Sequence, residues 1–266
     1  MTEINSLAHL PLATALQTPL AAMQEASYRM AEATFNAHNT HNATDAMSER
    51  KEPLKRAARL HVPIRSLGPS HRDRIASHLK ALQPADRYLR FGYAAGDAQI
   101  DRYVLSLNFD RDDIFGVYNR KLELIAMAHL AQNEDPQYKT CAEFGVSVLK
   151  QCRGKGYGSR LFDRAVMHSR NEGIAMLFIH ALSENTAMLR IAVNAGATVV
   201  RDGSESEAHL KLPEATLDSR MTELMEEQFA QVDYRFKQQA IQFWGFLSTV
   251  QGIRRGVKAS QQAAAE

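Results

Sequence analysis

The sequence predicts an α/β domain set between helical extensions, and three observations predict it. Residues 60–212 alternate strand-like and helix-like segments. Within them, an apolar strand runs through a glycine-rich turn into a helix. Residues 214–258 carry a single long amphipathic pattern instead, with Met221, Met225, Phe229, Val232, Phe236, Ala240, Phe243, Leu247 and Val250 recurring at steps of three and four. This divides the chain into a helical, flexible extension with a polar linker (1–59), a central domain (60–212), and a long amphipathic helix with a fraying tail (213–266).

Composition bounds the function. Hydrophobic residues at 45% and charged residues at 23% of 266 exclude wholesale disorder and fibrous architecture. A formal charge of +2 makes no case for nucleic-acid binding. Two cysteines, Cys141 and Cys152, are too few for a disulfide scaffold and fit a reducing compartment. No membrane span is expected, because Ile4 to Gln24 is interrupted by prolines and polar residues. Glu3 stands where a secretory signal would be basic, so a cytoplasmic protein is expected. Residues 50–65 hold six basic side chains against Glu52 alone, either a solvated helix face or a docking patch for an acidic partner. His38 and His41 lack a third ligand, and no metal is assigned.

The elements follow in order. His61–Leu67 reads as a strand. Ser70–Leu82 reads as a helix with Ser70 as N-cap and Ile75, Leu79 and Leu82 on one face. Pro84–Phe91 reads as a helix with proline near its start. Asp113–Tyr118 and Leu122–Ala131 read as strands around the turn Asn119–Lys121, and Cys141–Leu149 as a third. A helix is expected over Tyr157–Asn171, then a buried strand over Ala175–Leu182. A helix over Asn185–Asn194 is ended by Gly196. Strands at Thr198–Arg201 and Glu207–Leu212 complete the domain.

The chemistry concentrates in Glu143–Ser159. Gly154, Gly156 and Gly158 let the backbone turn sharply and approach a ligand. The first N–H groups of the following helix lack internal partners and carry partial positive charge, which suits a phosphate. Lys150, Arg153, Lys155, Arg160 and Arg164 add charge nearby in sequence. The spacing fits neither the P-loop nor the dinucleotide fingerprint.

What is present is Arg153-x-x-Gly156-x-Gly158, which resembles the coenzyme A pyrophosphate motif of the GNAT-type N-acetyltransferases. Asn185-Thr-Ala-Met188-Leu189, closing at Gly196, resembles that family's later helix. Asp86–Phe91 and Ala142–Val148 look like strings of the protein-lysine acetyltransferase domains associated with acyl-CoA synthetases.

The resemblance implies a GNAT fold over residues 60–212: a mixed, mostly antiparallel sheet splayed into a V between Cys141–Leu149 and Ala175–Leu182. It implies transfer of an acetyl group from acetyl-CoA to a primary amine, on a protein lysine or a small molecule, by direct attack. Backbone groups at Val146 and Val148 would hold the pantetheine. The N–H groups from Arg153, Gly154, Lys155, Gly156, Tyr157 and Gly158 to Ser159 would hold the pyrophosphate, and Asn185 would steady the cofactor. Glu143 would take the amine proton, with His129 and His180 as rival bases. Where many members carry an acidic tyrosine, this chain has Ala192, leaving the thiolate to depart unaided or to draw on Tyr157 or Cys152. Cys141 and Cys152 are expected to be inert thiols. The other reading is a catalytically weakened, CoA-binding regulatory or assembly module. The apolar stripe over 214–250 is too wide for water. It is expected to pack on its own domain, form a homodimer or receive a partner, while its acidic polar face argues against a membrane surface.

Overall fold

The structure, a computed structural model, describes residues 62–132 and 140–263, with side chains as far as residue 242. The expectations for residues 1–59 lie outside the described residues. Seven strands form one sheet: β1 (Ile64–Ser66), β2 (Asp113–Tyr118), β3 (Leu124–Gln132), β4 (Cys141–Val148), β5 (Met176–Leu182), β6 (Thr198–Asp202) and β7 (Glu205–Lys211). Their order is β1-β2-β3-β4-β5-β7-β6. Every pairing is antiparallel except β4 with β5.

That parallel pair covers only Cys141↔Met176, Ala142↔Leu177 and Glu143↔Phe178. Beyond Glu143, β4 continues along β3 to Val148 without β5 beside it. The sheet therefore opens into a V whose fork is at Glu143. β7, not β6, follows β5 in the sheet, in register from Met176↔Lys211 to Leu182↔Glu205.

Six helices are described: α1 (Arg72–Lys80), α2 (Pro84–Phe91), α3 (Asp97–Ser106), α4 (Tyr157–Asn171), α5 (Thr186–Asn194) and α6 (Leu217–Ala263). α4 buries Leu161, Phe162 and Ala165, and Phe162 meets Phe144 of β4 edge to face at 5.0 Å. On the opposite face of the sheet, α1 buries Ile75 and Leu79 and α3 buries Ile100 and Val104.

Two element readings need correction. Ser70 is not an N-cap. The Gly68 N–H donates to the His71 imidazole at 3.1 Å, closing a 3₁₀ turn over Pro69–His71, so α1 starts at Arg72. α3 was not anticipated. Gly96 precedes it, and Gln99 Oε1 accepts the Gly96 N–H at 2.7 Å. The turn between β2 and β3 forms as expected, because the Asn119 carboxamide accepts from the Lys121 and Glu123 N–H groups at 2.9 Å each.

Of the alternatives for the stripe of α6, packing on its own domain is the one that the described side chains contradict. The helix lies against β1 and α4 through polar positions. Arg164 of α4 ion-pairs with Glu223 at 3.1 Å and Glu227 at 3.3 Å. His168 sits between Glu223 at 2.6 Å and Asp113 of β2 at 3.0 Å. Ser66 donates to Glu227, the Ser219 hydroxyl donates to Asn171, and Lys237 donates to the Tyr118 carbonyl. Ala230 and Tyr234 are the buried apolar members of this face, with the Arg65 guanidinium 3.9 Å above the Tyr234 ring. The stripe points elsewhere: Met225 is 68% exposed, Phe229 48%, Val232 49% and Phe236 67%. Phe243, Leu247 and Val250 have side chains outside the described residues.

Candidate active site

At the fork of the V, Glu143 ends the paired part of β4, with its side chain 18% exposed. His180 lies one alternation further along β5, and its Nδ1 is 3.4 Å from Glu143 Oε1. Register places Glu207 of β7 opposite His180 and His209 opposite Phe178. Burial works against a charged His180. The nearby Glu143 carboxylate, with the charges of Glu207 and Glu205, outweighs it and raises its pKa. Both candidate bases, Glu143 and His180, thus stand side by side at the fork.

His129 is committed elsewhere. Its Nδ1 bonds the Tyr103 hydroxyl at 2.8 Å and its Nε2 meets Asp112 at 3.1 Å. Arg90 of α2 donates to the same hydroxyl at 3.0 Å, and its guanidinium fills the space above Gly145. A Cβ at Gly145 would meet Arg90 Cζ at 2.9 Å, so glycine there makes room for the arginine beside the fork. Asp112, held by His129 and Arg111, stays ionised: burial pushes its pKa up, but those partners bring it down to about 2.

The second half of the site is the turn into α4. Gly154 and Gly156 adopt φ of +75° and +77°, the left-handed region that favours glycine. The first bond inside α4 runs from the Arg160 N–H to the Gly156 carbonyl at 3.1 Å. The N–H groups preceding it, through Ser159, belong to the helix end that has no internal acceptor. Gly154, Lys155 and Gly156 are exposed there. Gly158 lets α4 approach α5: a Cβ on it would meet Ile191 Cδ1 at 3.3 Å.

Just past β4, the Leu149 N–H donates to the Ile125 carbonyl of β3. Alternation along the strand turns the backbone groups of Val146 and Val148 to the edge that β5 has left.

Three side chains are occupied in ways the sequence did not reveal. Arg153 is ion-paired with the nearly buried Asp86 of α2 at 2.6 Å, and its Nε donates to the Val148 carbonyl. Its guanidinium ties the turn to α2, leaving its backbone to the turn itself. Asn185 caps α5, accepting the Met188 N–H at 3.2 Å. Arg164 is not part of the anion site, since it is buried and pairs with α6. Tyr157 opens α4, half-buried against the core. Ala192 is fully buried, and Cys152 is buried below the turn.

Sequence reading missed Arg90, Tyr103 and Glu207 near the fork. Tyr103 had a signal, because Ile100, Val104 and Leu107 repeat at helical spacing after the Gly96–Gln99 start. Glu207 had none, since only the insertion of β7 beside β5 brings it there.

A sheet parted at a carboxylate, with a glycine-turned helix N-terminus beside it, has a geometry suited to acyl transfer. Residues 80–196, which include both the fork and the turn, match the acetyltransferase (GNAT) family. This stretch is thus similar to a GNAT-type acetyltransferase domain, a family whose donor is acetyl-CoA. No curated protein matches the chain. Among solved structures, the GNAT domain of PAT from S. lividans is similar at 18% identity, over 57% of this chain and 95% of that one, with a TM-score of 0.49. yncA from Salmonella typhimurium, solved with its cofactor acetyl-CoA, is similar at 17% identity over 58% and 96%, with a TM-score of 0.47. The ribosomal-protein-alanine N-acetyltransferase from Brucella melitensis is similar at 12% identity over 56% and 99%, with a TM-score of 0.46.

Proposed function

We propose that the domain transfers an acetyl group from acetyl-CoA to a primary amine by direct attack. The observation that carries this reading is the Glu143–His180 pair at the fork, where the open edge of β4 leads to the N-terminus of α4. Acetyl-CoA supplies the thioester carbonyl. The N–H groups from Gly154 to Ser159 would hold its pyrophosphate, with Lys155 adding charge. The backbone of Val146 and Val148 would hold the pantetheine arm by strand-like hydrogen bonds.

An arriving ammonium must lose a proton before it can attack. Glu143 accepts it, and His180 holds the carboxylate in place. The neutral amine then forms the C–N bond, the C–S bond breaks, and the thiolate takes a proton from solvent, since buried Ala192 offers none. Glu143, Glu205 and Glu207 give this end of the V a negative field that favours a cationic acceptor, a protein lysine or a small amine. Cys141 and Cys152 are both free thiols, which supports a reducing, cytoplasmic setting.

The test joins binding to turnover. Acetyl-CoA at 100 times its dissociation constant stabilises the fold by about 2.7 kcal/mol in a thermal-shift assay, and ATP does not. Glu143→Gln keeps that shift while lowering turnover against a lysine-peptide and polyamine panel by about 10²–10⁴-fold. An undiminished rate in Glu143→Gln refutes the assigned base. Binding with no acceptor turned over by the wild-type protein supports the regulatory-module reading instead.

A further inference from the structure

α6 uses two faces for two purposes. Counted in heptads with Phe229 at a, the residues that hold the domain from Glu223 onward fall at b, c and f: Glu223, Glu227, Ala230, Gln231, Tyr234 and Lys237. Those are the positions a coiled coil normally gives to water. The a and d positions, Met225, Phe229, Val232 and Phe236, lie on the other side and stand about half to two-thirds exposed. The sequence continues the same a/d register at Phe243, Phe246, Val250 and Ile253 along a helix that extends to Ala263, with Gln239 alone breaking the run. An apolar seam sustained over four heptads specifies a helical partner.

The charges along α6 identify that partner. Residues 217–233 hold five acidic side chains and one basic one; residues 234–263 hold five basic side chains and no acidic one. Two copies laid parallel would set acid beside acid and base beside base. Two copies laid antiparallel set the acidic half of each along the basic half of the other. Centred near residue 241, that arrangement pairs the a positions of one copy with the d positions of its partner. It also brings Glu226 of one, at a flanking e position, beside Arg254 of the other. The domain is no obstacle, because it occupies the b/c/f side of the helix.

We propose that the exposed seam of α6 is the interface of a homodimer, in which two copies of this chain pair through an antiparallel two-stranded coiled coil. The interface is isologous, as a two-fold dimer requires. The inference is independent of the acetyl-transfer reading, and either can fail without the other.

The full chain is tested by sedimentation velocity at tens of micromolar. The expected species has twice the chain mass of 29.7 kDa. The double variant Phe229→Glu, Phe236→Glu sediments as a single chain while its circular dichroism and acetyl-CoA thermal shift stay those of the parent, showing that the domain is folded. Direction is tested by charge exchange. Glu226→Arg and Arg254→Glu each weaken the dimer several-fold, and the two together restore it. A wild-type monomer overturns the proposal, as does a dimer indifferent to the phenylalanine changes. Failure of the double exchange to restore pairing overturns the antiparallel arrangement.

Discussion

Two helices are fastened to the same sheet by opposite chemistry. α1 is held to the sheet by apolar burial, with Ile75 and Leu79 wholly inaccessible, and its polar anchor on the strands is a neutral imidazole. His78 donates from Nδ1 to the Leu124 carbonyl and accepts the Ser147 hydroxyl at Nε2, each at 2.8 Å. α6 is held by charges: Arg164 and a protonated His168 against Glu223, Glu227 and Asp113. A helix attached through apolar residues has none left to show. A helix attached through its charges is free to present its apolar residues outward, and α6 does so. The difference between the two helices is thus also the difference between a closed core and an exposed apolar seam.

Removing the central charge breaks the comparison most severely. Arg164 is 4% exposed and faces two carboxylates. Arg164→Ala leaves both without it in a site of low polarity, a loss of about 3–5 kcal/mol. Chemical denaturation is expected to show that loss, together with earlier proteolysis within α6. A change below about 1 kcal/mol would mean that the apolar contacts of Ala230 and Tyr234 hold α6 unaided. Arg164→Met tests the same point from the other side, since it keeps the volume and removes the charge.

How far this was legible in the sequence differs between the two regions. The α4 strand–turn–helix could be read because its determinants are local: Gly154 and Gly156 need left-handed φ, and Leu161, Phe162 and Ala165 repeat at helical spacing. The stripe of α6 was equally visible as a pattern, but its direction was not. Which face docks depends on Arg164, His168 and Asp113, which lie dozens of residues upstream and show no local sign of a shared partner. The same holds at the fork. Glu143 could be singled out from its strand, yet its pairing with His180 and the nearness of Glu207 follow from strand order. Arg153 was legible as part of a motif, and its ion pair with Asp86 was not.

The pH dependence of stability sharpens the contrast, beginning with α6. Burial lowers the pKa of His168, but hydrogen bonds and charges from Asp113 and Glu223 overcome it and hold the pKa at about 9, above the ordinary imidazole value of 6.5. The folded state therefore binds the proton more tightly than the unfolded chain. The stabilisation is complete below about 6.5 and is lost as pH rises through about 9, on the order of 3 kcal/mol. Unfolding free energy is expected to fall across that window. His168→Gln flattens this alkaline limb, and an unchanged limb would show that His168 is not its source.

The smallest effect has the opposite sign and belongs to α1. Burial pushes the His78 pKa down to about 4, further than its bond to the Leu124 carbonyl can restore. The folded state excludes a proton that the unfolded chain accepts. Stability is thus intact above about 6.5 and declines as pH falls toward 4. His78→Phe removes this acid limb. It also strips Ser147 and the Leu124 carbonyl of their partner, at about 1–3 kcal/mol near neutral pH. Denaturation of the variant from pH 4 to 7 is expected to show lower but flatter stability. If its acid limb stayed as steep as the parent's, the neutral anchor would not be what distinguishes α1, and the contrast with α6 would rest on His168 and Arg164 alone.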